Sequence, residues 1–178
     1  MRFWIVLCLR SQITQEVRIL RNEEVVRLFD EFSDDLYRFA VSYVGSKHDA
    51  EDIVQEVFLK LLNKQVLFEK KIGKAYLMTM TANQCKDLLK SSARKTSVDL
   101  ESSEWLLASV DGFSERNKDV FDELLKLEDT YRAPIFLYYY EGFSYKEISR
   151  ILKISGSAVA MRIKRGKEQL RFRLEEDT

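Results

Sequence analysis

The chain has 178 residues, 46% of them hydrophobic, and a formal net charge of zero, so it can bury the cores of one or two domains. One proline, six glycines and little apolar–polar alternation argue against a sheet-rich fold and for an all-α chain. The single histidine, His48, and the two cysteines, Cys8 and Cys85, match no metal spacing or disulfide framework, and no phosphate-binding glycine loop or Ser/His/Asp set is visible. No catalytic residues, no metal, no cofactor and no small-molecule substrate are therefore expected.

Residues 1–22 form an amino-terminal extension. Its apolar run, Phe3-Trp-Ile-Val-Leu-Cys-Leu9, is far too short to span a bilayer and lacks a small-residue cleavage site. Two readings stay open for it: a short extra helix, or an upstream translation start with the native one nearer Asn22. Glu23–Val44 reads as an amphipathic helix whose inward stripe is Val26, Phe29, Phe32, Leu36, Phe39, Ala40 and Tyr43, broken by Gly45-Ser46-Lys47. A second helix spans Asp49–Leu62, with Ala50, Ile53, Val54, Val57, Phe58 and Leu61 inward. Asn63–Gly73 reads as a loop and Lys74–Ser91 as a third helix. Residues 96–117, rich in Ser and acid, read as a flexible linker in which Trp105-Leu-Leu107 stands out. Lys118–Leu127 and Ile135–Glu141 are short helical stretches, and Pro134 is expected to start or kink the helix it sits in.

The next segment is the most telling. Ser144 with Glu147 makes a capping box, and Ile148, Ile151 and Leu152 fall on one face behind it. Lys153-Ile154 forms a turn and Ser155 caps the next helix. There Val159, Ile163, Gly166 and Leu170 face inward, while Ser157, Ala160, Met161, Lys164, Arg165 and Glu168 face out. Residues 155–173 hold six Lys/Arg against one acid. Two helices, a tight turn and a basic outer face are how a helix-turn-helix presents itself to a DNA major groove. A helical hairpin with a solvated charged face is the plainer alternative.

The zero net charge hides a striped chain. Residues 23–59 and 99–129 are each strongly acidic (−7), while 60–98 (+7) and 130–178 (+4) are basic. Such striping suits a chain that meets both an anionic and a cationic partner.

Asp52, Gln55, Glu56 and Phe58, set as Asp-x-x-Gln-Glu-x-Phe, taken with the carboxy-terminal helix-turn-helix, resemble the extracytoplasmic-function sigma factors, the group IV bacterial sigma factors built of region 2, a linker and region 4. The resemblance implies two small helical domains, region 2 over 23–95 and region 4 over 118–174, joined by a flexible linker. It implies a factor that binds core RNA polymerase and directs promoter-specific initiation without itself being an enzyme. By this likeness Asp52, Gln55, Glu56 and Phe58 bind the β′ clamp helices, and region 4 meets the β flap. An acidic helix face suits such a basic coiled coil.

Lys74–Lys90 resembles regions 2.3 and 2.4, which capture the minus-10 element as a melted strand. Single-strand capture needs a basic groove and surfaces for unstacked bases. Phe68, Lys70, Lys71, Lys74, Tyr76, Asn83, Lys86 and Lys90 are the candidates, with Arg94 and Lys95 extending the groove. Tyr76 stands where the family has a buried Trp, so core packing is its leading role. Thr79 and Ala82 stand where the family often has basic residues. In region 4 the minus-35 candidates are Ser157, Ala158, Met161, Arg162, Lys164, Arg165 and Lys167. Lys153 replaces a turn glycine and Ala160 a common basic reader. The family also implies a cytoplasmic, nucleoid-associated protein, with an anti-sigma partner often present and membrane tethering only through it. Two rivals remain: a free-standing DNA-binding regulator with an unrelated effector half, and a helical adaptor that never touches DNA.

Overall fold

Gly45 sets the first corner of the fold. Its φ of 75° lies in the left-handed region, and its N–H closes the preceding helix on the Val41 carbonyl at 2.8 Å. In the computed structural model, which describes residues 20–63, 73–92 and 115–176, every regular element among those residues is an α-helix. The helices are α1 (Asn22–Val44), α2 (Lys47–Asn63), α3 (Lys74–Ser92), α4 (Glu115–Leu125), α5 (Asp129–Tyr139), α6 (Tyr145–Leu152) and α7 (Gly156–Glu176).

The first three pack against one another, with α1 touching both α2 and α3. The predicted α2 stripe is buried at every position, and Ser46 receives the Asp49 N–H as its cap at 3.3 Å. The expectation for α1 needs correction at its start. Val26 and Phe29 are exposed, and Val25 turns inward instead; Phe32 packs half-buried against the core, and the stripe is fully buried from Leu36 onward. Two buried hydroxyls in this half meet backbone carbonyls, Ser42 on Phe39 and Thr81 on Leu77, so neither is stranded in the apolar interior.

In the second half α7 packs along α5 and touches α4 and α6. Gly166 is what lets α7 come close to α5: a Cβ there would lie 2.4 Å from Ile135 Cδ1 and 3.0 Å from Tyr131 Cβ. Helix α5 begins at Asp129, six residues before the expected start at Ile135. Pro134 therefore lies inside the helix rather than at its beginning, buried among Ala133, Ile135 and Phe136. Residues 115–117, expected in the linker, are helical. The expected loop at 64–72, most of the amino-terminal extension, and residues 96–114 with Trp105 lie outside the described residues.

The two halves share one interior. Phe39 of α1 sits 6.1 Å, centroid to centroid, from Phe136 of α5, and Phe136 in turn touches Phe121 and stacks on Tyr140. Arg132 of α5 is buried at the same junction. Its guanidinium donates to the Leu125 carbonyl at 2.9 Å and the Tyr43 carbonyl at 3.1 Å. These carbonyls belong to the last turns of α4 and α1, where helices carry unsatisfied acceptors and partial negative charge. One cation thus closes two helix ends, one from each half.

Candidate polymerase and nucleic-acid interfaces

The helix-turn-helix is built as its sequence dictates. The Ser144 N–H meets Glu147 Oε2 at 2.8 Å, and the Glu147 N–H returns to Ser144 Oγ at 3.4 Å. The Ser144 hydroxyl and N–H hold the Glu147 carboxyl below its ordinary range. Helix α6 ends at Lys153, the single non-glycine residue with positive φ (54°) among those described. The Ile154 N–H bonds the Ser149 carbonyl at 3.1 Å, while Ser149 Oγ donates to the Ile154 carbonyl at 2.6 Å, so the turn is pinned from both sides. Ser155 Oγ then receives the Ala158 N–H at 3.1 Å and starts α7.

Val159, Ile163, Gly166 and Leu170 are buried, and this fixes which way the rest of α7 faces. Ser157, Met161, Lys164, Arg165 and Lys167 are exposed, while Ala158 and Arg162 are half-buried. All seven predicted minus-35 residues therefore lie on one element, five of them fully on its outer face. A basic, outward helix set at a fixed angle by a tight turn can enter a major groove and place Arg or Lys against guanine edges.

On α2, Asp52, Gln55 and Glu56 are exposed, with His48 3.8 Å from Asp52 and Lys60 3.2 Å from Glu56. Phe58 does not join them. It is buried and holds Phe29 edge-to-face at 5.0 Å, so it supports the acidic face rather than forming it. The face continues onto α3. A shallow groove of about 240 Å³ is lined by Asp49, Asp52 and Glu56 together with Gln84, Asp87 and Ser91. Asp87 was missed in the sequence because it sits in a basic segment; only the packing of α3 on α2 brings it to the acids.

The predicted minus-10 set is divided. Phe68, Lys70 and Lys71 lie outside the described residues, as do Arg94 and Lys95. Tyr76, expected to pack in the core, is 40% exposed, so the buried role given to the family's Trp is not the one it plays here. Asn83 is half-buried and Lys90 exposed, 4.0 Å from Asp87. Thr79 is half-buried, and Ala82 is fully buried and offers no phosphate contact.

Lys74 and Lys86 are both engaged. Lys74 Nζ lies 2.5 Å from Asp35 of α1 and 2.5 Å from Glu141, just past α5. Burial works against charge on all three groups. For Asp35, Lys74 and Arg38 outweigh it and hold the carboxyl low; for Lys74, its two carboxylates raise the amine; for Glu141, burial prevails and the carboxyl is raised. Lys86 donates to the Leu152 carbonyl at the end of α6. Burial first, then Lys153, Arg162 and Lys90, press its pKa down.

A second groove, about 610 Å³ and mostly apolar, lies between α4, α5 and α7, with Leu124, Ile135, Tyr139 and Leu170 among its lining. Among the described residues no cluster of His, Cys, Asp and Glu could hold a metal, and no helix is long and apolar enough to cross a membrane.

Residues 28–95 match the family model of sigma-70 region 2, and residues 118–170 match that of sigma-70 region 4. The chain belongs to the extracytoplasmic-function sigma factors. It is 29% identical to the ECF RNA polymerase sigma factor SigE of Mycolicibacterium smegmatis, across 84% of this chain and 60% of that protein. It is 28% identical to SigW of Bacillus subtilis, across 83% of this chain and 87% of the relative. The fold matches that of the sigma factor RpoE of Bartonella quintana, solved in complex with the anti-sigma factor NepR. The TM-score is 0.69 at 23% identity, over 88% of this chain and 99% of that one. As a sigma factor carrying regions 2 and 4, the chain works in promoter-directed transcription initiation, with core RNA polymerase and promoter DNA as its partners. Helices α1–α3 are its region 2 and α4–α7 its region 4.

Proposed function

We propose that α2 and the adjoining end of α3 dock on the clamp helices of the polymerase, that α3 captures the melted minus-10 strand, and that α7 reads the minus-35 duplex. The observation that carries this assignment is the separation of charge. The acidic groove holding Asp52, Glu56 and Asp87 lies on region 2, and the cations Lys164, Arg165 and Lys167 line the outer face of α7. A basic protein surface and an anionic duplex are thereby steered to different faces. Met161, Lys164 and Arg165 serve as base readers, Arg162 and Lys167 as phosphate contacts. The apolar groove between α4, α5 and α7 suits the β flap. The chain itself makes no bonds; the polymerase does the chemistry. It works in the cytoplasm, at the nucleoid, and any membrane tethering comes through an anti-sigma partner.

Run-off transcription from genomic fragments with core polymerase, with and without the chain, tests this reading. Specific transcripts should require the chain, and reversing the charge of Asp52 and Glu56 together should abolish both transcripts and polymerase pull-down. Substituting Lys164 and Arg165 by Ala should remove transcripts but leave pull-down intact. Tight, site-specific DNA binding by the chain alone, unaffected by the α2 reversal, would instead favour a free-standing regulator.

A further inference from the structure

Region 2 carries an apolar patch that the proposed polymerase and DNA contacts do not use. On α1, Val26 is 56% exposed and Phe29 45%; on α2, Leu59 is 50% exposed and Leu62 46%. Val26 and Phe29 stand three apart on one helix, Leu59 and Leu62 three apart on the other, and residues so spaced share a face. Phe29 bridges the seam between the helices through its edge-to-face contact with Phe58 at 5.0 Å, and Leu62 follows Phe58 by one turn. Large apolar side chains gathered across a seam mark a binding surface, whereas singly scattered ones do not. Acids border this one. Glu23 and Asp30, both exposed, stand three residues before and four after Val26 on the same face.

The chain leading into α1 points to the occupant. Arg21 is extended (φ −81°, ψ 150°) and its N–H donates to Glu24 Oε2 at 3.1 Å, so the residues before it do not prolong α1. Leu20 packs on the core, in the outer position of a hydrophobic staple whose inner position is the buried Val25. A staple fixes the angle at which the chain enters a helix, and here it lays the entering chain against region 2. Eleven residues before Leu20 stands Leu9, the end of the apolar run Phe3–Leu9. Eleven residues cover about 16 Å as a helix and up to about 36 Å extended. Phe29 lies only about 10 Å along α1 from Asn22, so the run can reach the patch in either form. Arg2 and Arg10 bracket the run, as Glu23 and Asp30 border the patch. We propose that Phe3–Leu9 seats on the patch of Val26, Phe29, Leu59 and Leu62, with its basic ends toward the bordering acids. Leu59 lies one turn beyond Gln55 and Glu56, so the seated segment adjoins the acidic docking face. The amino-terminal extension is then a working part of region 2, and a native start near Asn22 is excluded.

The two tryptophans are Trp4, inside the run, and Trp105. In the full-length chain carrying Trp105→Phe, Trp4 is the sole reporter, read by its emission and by acrylamide quenching while circular dichroism follows the fold. Trp4 emission should be blue-shifted, and its quenching several-fold weaker than in the urea-unfolded chain. Val26→Asp and Leu62→Asp, both at half-exposed positions, should each return quenching toward the unfolded value. Phe172→Asp places the same charge on a 63% exposed apolar residue of α7 and should change nothing. Reversing Glu23 and Asp30 together to Lys should weaken the protection. Quenching of wild-type Trp4 as free as in the unfolded chain overturns the proposal. So does protection that survives both aspartate variants, which would put the seat elsewhere, and protection lost on dilution, which would make a second copy the occupant. Should Val26→Asp fail to fold, Leu62→Asp and the charge reversal decide. If the polymerase covers the patch instead, Trp4 stays freely quenched in the isolated chain while Val26→Asp lowers polymerase pull-down. An intact mass of the native protein that begins beyond Leu9 also overturns the proposal.

Discussion

Lys153 offers a sharp test of how the helix-turn-helix is built. Its φ of 54° places an L side chain in the left-handed region at the end of α6. That conformation costs a non-glycine residue about 1–2 kcal/mol. Replacing it with glycine removes the cost but returns about 0.4–1 kcal/mol through the freer unfolded chain. The net expectation for Lys153→Gly is a gain of about 0.5–1 kcal/mol, or a melting temperature higher by about 1–4 °C for a chain of this size. Charge contributes in the same direction, since Lys153 presses on the half-buried Lys86. Lys153→Ala separates the two effects, because it removes the charge and keeps the strained backbone. Thermal and urea unfolding followed by helical circular dichroism should rank Lys153→Gly above wild type, with Lys153→Ala within about 0.5 kcal/mol of wild type. If the alanine variant gains as much as the glycine variant, repulsion and not backbone strain governs the turn, and the argument is refuted.

Gly166→Ala should destabilise by about 1–3 kcal/mol in urea, because a methyl group has no room against Ile135 and Tyr131, despite the helix-propensity gain of about 1 kcal/mol. Arg132→Met should lower stability by about 2–3 kcal/mol by stranding the Leu125 and Tyr43 carbonyls, and a shift of the urea midpoint measures it. Asp35 contributes stability that is present above its ordinary pKa of 3.8 and is lost as pH falls through its depressed folded value. Acid titration of Asp35→Asn should lack that loss; an acid limb as steep as that of wild type would count against it. For free-chain binding to duplex DNA, the slope of log K on log salt should reflect only the α7 phosphate contacts Arg162 and Lys167, about −2 at roughly −0.9 per phosphate. A markedly steeper slope would mean that cations beyond these two also meet phosphates.

What could be read from the sequence was local. The α2 stripe, the Ser144–Glu147 capping box, the Ser155 cap and the inward face of α7 all follow from spacing within one helix, and each is found where spacing puts it. Periodicity misled at Val26 and Phe29, because the start of α1 turns Val25 rather than Val26 to the core and leaves Phe29 at its rim, where one side of the ring meets Phe58 and the rest stays exposed. It also missed the beginning of α5, where Asp129-Thr-Tyr-Arg carries no apolar rhythm and Pro134 looks like a boundary. The deeper omission concerns the contacts between halves. Lys74 and Glu141 lie 67 positions apart, and Lys86 and Leu152 66 apart; in sequence each lysine is simply one more cation in a basic block. Charge counting therefore assigns both to DNA, whereas the fold gives each a carboxylate or carbonyl first. The part Arg132 plays is hidden for the same reason, since its acceptors are backbone atoms that no side-chain pattern encodes. A basic segment in such a chain defines where an anion can bind; only the packing decides whether that anion is DNA or the protein's own second half.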